Sequence, residues 1–296
     1  MGQGDATLIR SPTGQVALID AGPAHSADSP GIGDHLRRLA VDRIDLLVAS
    51  HNHADHIGGV PEVLGIVPVR FFMDNGIPHT TLTYRRMLEA MLEADVPLLE
   101  PERRTIDLGA VVLEILPPPG DEALGHNDNS VGVVLRYGDF RATFAGDAEE
   151  TLWGYWLRTT PEALEPVHVH KASHHGSRNG DIPEAIERLR PEWVVVSAGR
   201  GNRYGHPHAE ALALYRSVGA RVVTTARAGS ITVRVAPDAE FAVEGVNAGA
   251  VREEALDSGG LGSGCGEGGL PWTLVAFPDY HCLSQGFTRF TERIER

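Results

Sequence analysis

The sequence predicts an α/β fold in which mixed β-sheets are covered by helices. Short β-branched and apolar runs alternate with longer amphipathic stretches, and turn residues separate them. Several apolar runs are continuous, such as Leu46–Ala49, which is typical of strands buried on both faces. The turn Tyr137-Gly138-Asp139-Phe140 predicts a hairpin, so at least one strand pair is antiparallel.

Runs of apolar and β-branched residues bounded by turn residues predict strands. In chain order they are Ala6–Arg10, Val16–Asp20, Asp45–Ser50, Val69–Asp74, Val111–Leu116, Val131–Tyr137, Phe140–Ala145, Val167–Ala172, Trp193–Ser197, Arg221–Thr225 and Ser230–Val235. Helical spacing predicts helices over Gly33–Ala40, Leu82–Ala94, Glu149–Leu157, Pro183–Leu189 and His208–Val218. In the second helix, the apolar residues make one stripe: Leu82, Met87, Leu88, Met91 and Leu92.

The chain divides by composition into residues 1–245 and 246–296. Its 296 residues fit either one large α/β domain or two domains. Nine glycines between Gly245 and Gly269 are typical of a flexible linker. Beyond that linker, Trp272–Phe277 is predicted to form a strand and Phe287–Ile294 a helix. The composition assigns this tail no function.

The charge and composition exclude several classes of protein. With 26 basic and 40 acidic side chains the net charge is −14, which disfavours a broad nucleic-acid-binding face. Two cysteines, Cys265 and Cys282, do not make a disulfide framework. No apolar run approaches the ~18 residues of a membrane span, and the N-terminus lacks signal-peptide features, so a cytoplasmic location is expected.

The strongest local signal is His51-Asn52-His53-Ala54-Asp55-His56, which follows a predicted buried strand. In an extended segment, His51 and His53 point the same way, while Asp55 and His56 face a second point after the chain turns. The spacing therefore suits two adjacent metal ions better than one. Imidazole and carboxylate ligands without thiolate favour zinc, manganese or iron. A His-Glu-x-x-His helix motif is excluded because Asn52 follows His51.

This motif resembles the H-x-H-x-D-H signature of the metallo-β-lactamase-fold superfamily. Further segments extend the resemblance: Leu18-Ile19-Asp20-Ala21-Gly22, Ala145-Gly146-Asp147 and Lys171-Ala172-Ser173-His174-His175-Gly176-Ser177. The resemblance implies an αββα sandwich of two mixed β-sheets flanked by helices. It also implies that a dinuclear centre of divalent ions, zinc or manganese, supports hydrolysis.

More narrowly, the chain resembles the hydrolase domain of the ComEC/Rec2 competence proteins, in a stand-alone form. The residues behind this likeness are Gly2-Gln3-Gly4-Asp5-Ala6, Asn127-Asp128-Asn129-Ser130 and Gly201-Asn202-Arg203-Tyr204-Gly205-His206-Pro207-His208. The resemblance covers about residues 1–235 and leaves the tail unmatched. It implies a phosphodiester or phosphate-ester substrate, with a nuclease as one form of that activity.

The superfamily pattern, carried over by position, implies a full set of metal ligands. The first ion would be held by His51 and His53, the second by Asp55, His56 and His174, and Asp147 would bridge the two. His126 is the candidate for a third histidine on the first ion, with Asn127 or Asp128 as alternatives. The alternative role for Asp147 is to cap the helix that begins near Ala148.

The remaining candidates support the site or contact substrate. Asp20, Lys171 and His175 are expected behind the ligands, although Lys171 equally suits a solvated position. Asn129, Ser130 and His206 are candidates for orienting substrate, and His206 and His208 flank a helix start that can attract an anion. Other histidines lack a partner motif and are expected to be structural: His25, His35, His79, His168, His170 and His281.

The mechanism implied is metal-assisted hydrolysis, with Asp55 and Asp147 as proton acceptors. Phosphodiester cleavage is the first hypothesis, on a small phosphate ester or on nucleic acid; a lactam, lactone or thioester hydrolase is the second. The third is a non-catalytic metal-binding protein, because relatives usually place a strand before the Gly2–Ala6 motif and its absence would expose a sheet edge. Nucleases with a β-CASP insert are excluded by the 26 residues between Asp147 and His174, and diiron flavoproteins by His53. The oligomeric state stays open.

Overall fold

The computed structural model describes residues 4–25, 31–236, 238–246, 249–250 and 273–276. Its strands are β1 Thr7–Arg10, β2 Val16–Ile19, β3 Leu46–Val48, β4 Phe72–Met73, β5 Leu98–Leu99, β6 Thr105–Leu108, β7 Val111–Leu116, β8 Gly132–Tyr137, β9 Phe140–Phe144, β10 Val169–Lys171, β11 Trp193–Val196, β12 Arg221–Thr224, β13 Ile231–Val235, β14 Phe241–Gly245, β15 Gly249–Ala250 and β16 Thr273–Ala276. Its helices are α1 Ile32–Arg38, α2 Ala54–Ile57, α3 Val60–Leu64, α4 Leu82–Glu93, α5 Glu150–Thr159, α6 Pro183–Leu189, α7 Ala209–Ser217 and α8 Thr225–Ala228.

The strands form two mixed sheets. The first has the order β15-β14-β13-β16-β1-β2-β3-β4-β5, and β2 to β5 are parallel to one another. The second has the order β12-β11-β10-β9-β8-β7-β6, with β9 to β12 parallel and β6 to β9 antiparallel. The predicted Tyr137–Phe140 hairpin joins β8 to β9.

The two sheets pack face to face, and helices cover their outer faces. Period-2 alternation decides which side chains face inward. In β2, Ala17 and Ile19 join the core between the sheets, whereas Val16 and Leu18 pack under the helices. Trp153 and Trp156 of α5 cover the second sheet. The αββα sandwich is therefore confirmed.

All eleven strands and all five helices predicted within residues 1–245 are present, with ends that differ by up to three residues. The sequence analysis missed short or exposed elements, among them β5, β6, β14 and the one-turn helices α2 and α8. Two or four residues are too few for a periodic pattern to stand out. In the apolar stripe on α4, Met87 and Met91 are buried, whereas Leu82 and Leu92 are 55% and 81% exposed.

The tail strand β16 pairs in parallel with both β1 and β13. It matches the strand predicted at Trp272–Phe277, and it covers the edge of β1 that was expected to be open. The predicted helix Phe287–Ile294 lies outside the described residues. The division into domains at residue 245 stays a prediction.

Candidate metal centre

The candidate residues lie at one edge of the sandwich. Asp20 follows β2, His51 follows β3 by two residues, and Asp147 and His174 follow β9 and β10. These strands run parallel to their neighbours, so their carboxyl ends meet at the same edge, where α/β proteins place ligands. Main-chain topology therefore brings together side chains that are far apart in sequence.

The loop after β3 folds its two leading histidines onto one point. His51 Nε2 lies 3.0 Å from His53 Nδ1, and His51 is fully buried. Burial lowers the pKa of His51 well below its usual value, and the neighbouring His56 lowers it further, which outweighs the nearby carboxylates. A neutral imidazole has a free lone pair, so His51 is in the form that binds a metal ion.

Asp20 orients His56 from behind. The Ser50 backbone N–H donates to Asp20 Oδ1 at 2.7 Å, and the Ser50 hydroxyl donates to Asp20 Oδ2 at 2.8 Å. Asp20 Oδ2 also lies 2.7 Å from His56 Nδ1. With Nδ1 engaged, His56 presents Nε2 to the site, the usual arrangement of a carboxylate behind a metal-binding histidine.

Asp147 is positioned by a tight approach of its loop to the opposite sheet. Gly146 has φ +58°, and a Cβ there would lie 2.9 Å from atoms of Ser130 and Ser50. Only glycine tolerates both the positive φ and the close approach of the two serines. The Asp147 N–H donates to Ser130 Oγ at 3.2 Å. Asp147 is 3% exposed, so its carboxylate lies inside the protein and not at the surface.

Asp147 does not act as the helix cap that was its alternative role. Helix α5 begins at Glu150. Asp128 Oδ1 accepts from the N–H groups of Glu149 and Leu152 at 3.2 and 3.0 Å, so Asp128 satisfies the first turn of α5. Asp147 is thereby left for the site, and Asp128 Oδ1 is engaged at the start of α5.

Asp147 contacts both potential ligand groups of the site, which have His56 in common. Its Oδ1 lies 3.3 Å from His56 Nε2, and its Oδ2 lies 3.8 Å from His51 Nε2 and 3.5 Å from His175 Nε2. Ligand atoms of His51, His56 and Asp147 lie within 4.8 Å of one another, as do those of Asp55, His56 and His175. The site is a compact His/Asp cluster with two adjacent ligand groups.

The late histidine in this cluster is His175. Its Nε2 lies 3.3 Å from both Asp55 Oδ2 and His56 Nε2, and its Nδ1 lies 2.9 Å from the Ser197 carbonyl. His174 instead places Nδ1 3.0 Å from Glu149 Oε1, and its Nε2 is 3.9 Å from Asp147. The geometry thus favours His175 where the sequence analysis placed His174. Adjacent residues in a turn point in different directions, which sequence spacing does not reveal.

The charges of the cluster are tightly coupled. Burial lowers the pKa of His56, but the carboxylates of Asp147 and Asp20 outweigh burial and raise it well above its usual value. Burial raises the pKa of Asp147, but His56, His175 and His51 outweigh it and hold it well below its usual value. Asp147 is therefore an anion among histidines, as a bridging ligand requires.

Two further histidines, His126 and His79, lie close to His53. The His126 ring centroid lies 5.6 Å from that of His53 and 4.1 Å from that of His79. His126 Nδ1 is buried and has no hydrogen-bond partner among the described residues, whereas His79 Nδ1 lies 2.8 Å from Thr81 Oγ1. His79, which sequence reasoning treated as structural, thus reaches the site. Its place in the loop after β4, at the same sheet edge, was the available signal.

The structure gives Asn129 and Ser130 contacts within their loop rather than a place in the cleft. Both are fully buried. The Asn129 amide donates to the Asp121 and Gly125 carbonyls at 2.9 and 3.2 Å, and Ser130 accepts from the Asp147 N–H. A substrate cannot reach a fully buried side chain, so the geometry disfavours substrate contact for either residue.

Lys171 is buried at 2% exposure, which excludes the solvated alternative. It pairs with the buried Asp5, and its Nζ lies 3.4 Å from the Gly146 carbonyl. Burial lowers its pKa, but Asp5 and Asp147 outweigh burial and raise it. Sequence reasoning did not single out Asp5. In the sequence, Lys171 suited a position behind the ligands and a solvated position equally, and its partner was not indicated.

A buried polar relay supports the His174–His175 turn from below. Asp181 lies 3.0 Å from His170 Nε2 and accepts from the Tyr215 hydroxyl at 2.7 Å and from the Ser173 N–H at 3.0 Å. Thr143 Oγ1 lies 2.8 Å from His170 Nδ1. The Asp181 carboxylate thus links β10, the turn that follows it and helix α7.

His206 and His208 have different environments. His208 Nδ1 accepts from the Arg178 N–H at 3.0 Å, and its Nε2 lies 3.1 Å from the Tyr204 carbonyl, so it holds its loop. The His206 ring is stacked 6.2 Å from that of His175. Partial burial lowers the pKa of His206 to about 4, and His175 and His208 add to that effect.

The residues present fit a metal centre. The donors are imidazole nitrogens and carboxylate oxygens, as in zinc and manganese sites. Asp147 Oδ1 is buried and accepts no hydrogen bond within the described part of the chain, so one ligand lone pair is still available.

Among the described residues, the helices are too short or too polar to span a membrane.

The comparisons with known proteins agree with this geometry. Residues 1–199 match the family described as the metallo-beta-lactamase superfamily. ComE operon protein 3 of Bacillus subtilis is 27% identical over 252 residues, covering 79% of this chain and 32% of its own length. Recombination protein 2 of Haemophilus influenzae is 25% identical, covering 80% and 28%. Competence protein ComA of Neisseria gonorrhoeae is 28% identical, covering 78% and 30%.

The chain spans about a third of the length of these curated relatives. Among solved structures, the metallo-beta-lactamase fold protein YhfI of Bacillus subtilis is 12% identical with a TM-score of 0.43, covering 71% of this chain and 83% of its own. Igni18, a metallo hydrolase of Ignicoccus hospitalis, is 16% identical with a TM-score of 0.45, covering 80% and 97%. On the family match and the arrangement of its site, this chain belongs to the metallo-beta-lactamase superfamily.

Proposed function

We propose that this chain is a dinuclear metal-dependent hydrolase that cleaves a phosphodiester or a related phosphate ester. The observation that carries the proposal is that two adjacent ligand groups meet at the Asp147 carboxylate, which lies 3.3 Å from His56 Nε2 and 3.5 Å from His175 Nε2. His51, His53 and His126 would hold the first ion, and Asp55, His56 and His175 the second. The ions would be zinc or manganese.

The chain's own residues divide the work between ligation and proton transfer. Metal ions bound there would supply Lewis-acid activation of water and would neutralise charge on the phosphoryl group. Asp55 is about a third exposed and lines the neighbouring cleft, whereas Asp147 is buried. Asp55 is thus better placed to accept the proton of an attacking water.

His206 is suited to contacting substrate. Its low pKa of about 4, which follows from burial and from the nearby histidines, keeps the ring neutral at physiological pH. A neutral imidazole donates one hydrogen bond without adding charge. From its stack on His175, His206 would donate to a substrate oxygen beside the second ligand group.

The choice of a phosphodiester is supported by the relatives. One of them is named for recombination and one for competence, which are processes that handle DNA. The net charge of −14 disfavours long polyanions, so a short phosphodiester is the better substrate.

A second candidate is thioester hydrolysis. Hydroxyacylglutathione hydrolase of Hahella chejuensis is 34% identical over 116 residues, covering 38% of this chain and 36% of its own length. A thioester hydrolase would share every metal ligand and would differ only in the walls of the cleft.

The test is turnover on four substrates with manganese and zinc supplied separately: bis-p-nitrophenyl phosphate, linear DNA, nitrocefin and a hydroxyacylglutathione. We expect the phosphodiester to be hydrolysed in a chelator-sensitive manner, and purified protein to hold about two transition-metal ions per chain. His53→Ala is expected to abolish turnover. The exposed His25 provides a matched control, and His25→Ala should keep both metal and activity.

Other outcomes would replace the proposal. Preferred turnover of the glutathione thioester would favour the second candidate. Bound metal without turnover of any of the four substrates would indicate a non-catalytic metal-binding protein. An active metal-free preparation would overturn the metal-dependent mechanism altogether.

A further inference from the structure

A cleft of about 510 Å³ opens directly beside the second ligand group. One wall is formed by the start of α2, including Asp55, whose carboxylate contacts His175. The other wall is the loop 201–204. A substrate whose reacting atom lies at Asp55 would therefore extend one of its substituents along this loop.

The loop presents a paired guanidinium and phenol to the cleft. The Arg203 Cζ lies 4.8 Å from the Tyr204 ring centroid, and Arg203 Nη2 donates to the Tyr204 hydroxyl at 2.6 Å. Tyr204 is 49% exposed. The guanidinium lies over the phenol ring, so the pair presents a planar cationic group at the cleft.

The same surface is continuous with the metal centre. The Tyr204 ring stacks on His206 with centroids 5.6 Å apart and an interplanar angle of 20°. His206 in turn stacks on His175 at 6.2 Å and 16°. The phenol is thus linked to the candidate metal ligand His175 through one intervening ring, that of His206.

The chemistry of the wall favours a planar group over a row of phosphates. Among the described residues that line the cleft, Arg203 is the only basic side chain, in a chain with a net charge of −14. Binding a run of phosphates requires several cations. A guanidinium plane and an aromatic ring instead provide stacking surfaces for a nucleobase.

We propose that Arg203 and Tyr204 form a nucleoside subsite, in which the base of a short phosphodiester stacks on the guanidinium–phenol pair while its phosphate lies at the Asp55 end of the cleft. This inference rests on the proposed function and names its substrate class as a nucleotide diester. Both residues are specificity-determining residues, because their reach is to the substituent and not to the reacting bond.

The test compares two esters that share a leaving group and a single negative charge: thymidine 5′-(p-nitrophenyl phosphate) and methyl p-nitrophenyl phosphate. Tyr204→Leu keeps an apolar side chain but removes the ring. We expect it to lower kcat/KM about tenfold more for the thymidine ester than for the methyl ester. Arg203→Gln is expected to act in the same direction.

Arg200 is the matched control. It lies on the same loop, carries the same charge, and donates to the Ala226 carbonyl at 3.2 Å instead of lining the cleft. Arg200→Gln should leave the ratio of the two kcat/KM values unchanged. Equal losses on both esters in Tyr204→Leu, or an unchanged ratio in both cleft variants, would overturn the subsite.

Failure of the proposed function would look different. If the wild-type chain hydrolyses neither ester, the subsite is tested by equilibrium binding of thymidine 5′-monophosphate and methyl phosphate to the metal-loaded protein. Weaker binding of thymidine monophosphate alone in Tyr204→Leu would support the subsite without turnover. Equal affinity of wild type and variant for thymidine monophosphate would overturn it.

Discussion

The two sheets supply their side chains to the site in different ways. The first sheet delivers His51, His53, Asp55 and His56 within six residues of one loop. The second sheet delivers side chains from three separate loops: His126 before β8, Asp147 after β9 and the His174–His175 pair after β10. Both sets converge on the same point.

Their support differs accordingly. The first loop needs one carboxylate, Asp20, which bonds to Ser50 and His56 within 2.8 Å. In the second layer, His174 and His175 both adopt left-handed backbone with φ of 45° and 55°, which costs free energy in non-glycine residues. The Asp181 relay anchors the preceding Ser173, so the buried network offsets that strain. The histidine motif after β3 is thus held by one carboxylate, whereas the dispersed residues of the second sheet depend on a buried hydrogen-bond network.

The largest effect is expected where the two sets meet. Asp147→Asn removes the carboxylate that contacts histidines of both ligand groups. We expect metal content to fall and phosphodiester turnover to drop more than ~100-fold, beyond the ~10–100-fold typical of residues behind the ligands. Metal analysis and steady-state kinetics measure both. Full metal content in Asp147→Asn would show that the two sets bind independently and would break the comparison.

The next-largest effect concerns the third histidine beside His51 and His53, which could come from either sheet. His126 comes from the second sheet and has a buried Nδ1 with no partner among the described residues, whereas His79 comes from the first and is engaged by Thr81. We therefore expect His126→Ala to lose about one of two ions, as a two-metal site implies. His79→Ala should change turnover less than ~3-fold, in the range of a group that is not a ligand. If instead His79→Ala lost an ion and His126→Ala did not, the first sheet alone would supply the three histidines of the first ion.

The smallest effect is expected in the relay of the second sheet. Burial raises the pKa of Asp181, but His170, Tyr215 and Ser173 outweigh burial and lower it below 3.8. A carboxyl whose pKa is lower when folded stabilises the fold above its unfolded value of 3.8, and this contribution is lost as the pH falls through the folded pKa. Urea unfolding of the metal-free chain should thus show Asp181→Asn to be less stable at pH 7 and flatter below pH ~4.

Tyr215→Phe is the milder companion of that change. It removes one donor to Asp181 and should cost about 1–3 kcal/mol of unfolding free energy. If Asp181→Asn retained the wild-type acid dependence, Asp181 would not be ionised in the folded chain, and the relay would not be the support described.

Much of the fold was predictable because it depends on local patterns. Continuous apolar strands such as β3 and β11 predicted burial between layers, and the hairpin at Gly138 predicted the antiparallel half of the second sheet. The short helix α2 escaped prediction because it lies inside the histidine motif and spans only four residues. The exposed leucines of α4 escaped because an apolar stripe does not say how much of it a neighbour will cover.

By itself, the sequence determined the histidine loop, the order of strands and helices, and the superfamily, since these depend on residues that are adjacent or regularly spaced. The tertiary structure alone decided that His175 faces Asp55, that Asp128 caps α5, and that Asp5 pairs with Lys171. Each of those contacts joins residues at least 21 positions apart. Which atom a side chain meets at that separation depends on sheet order and backbone direction, and no local pattern of residues encodes either.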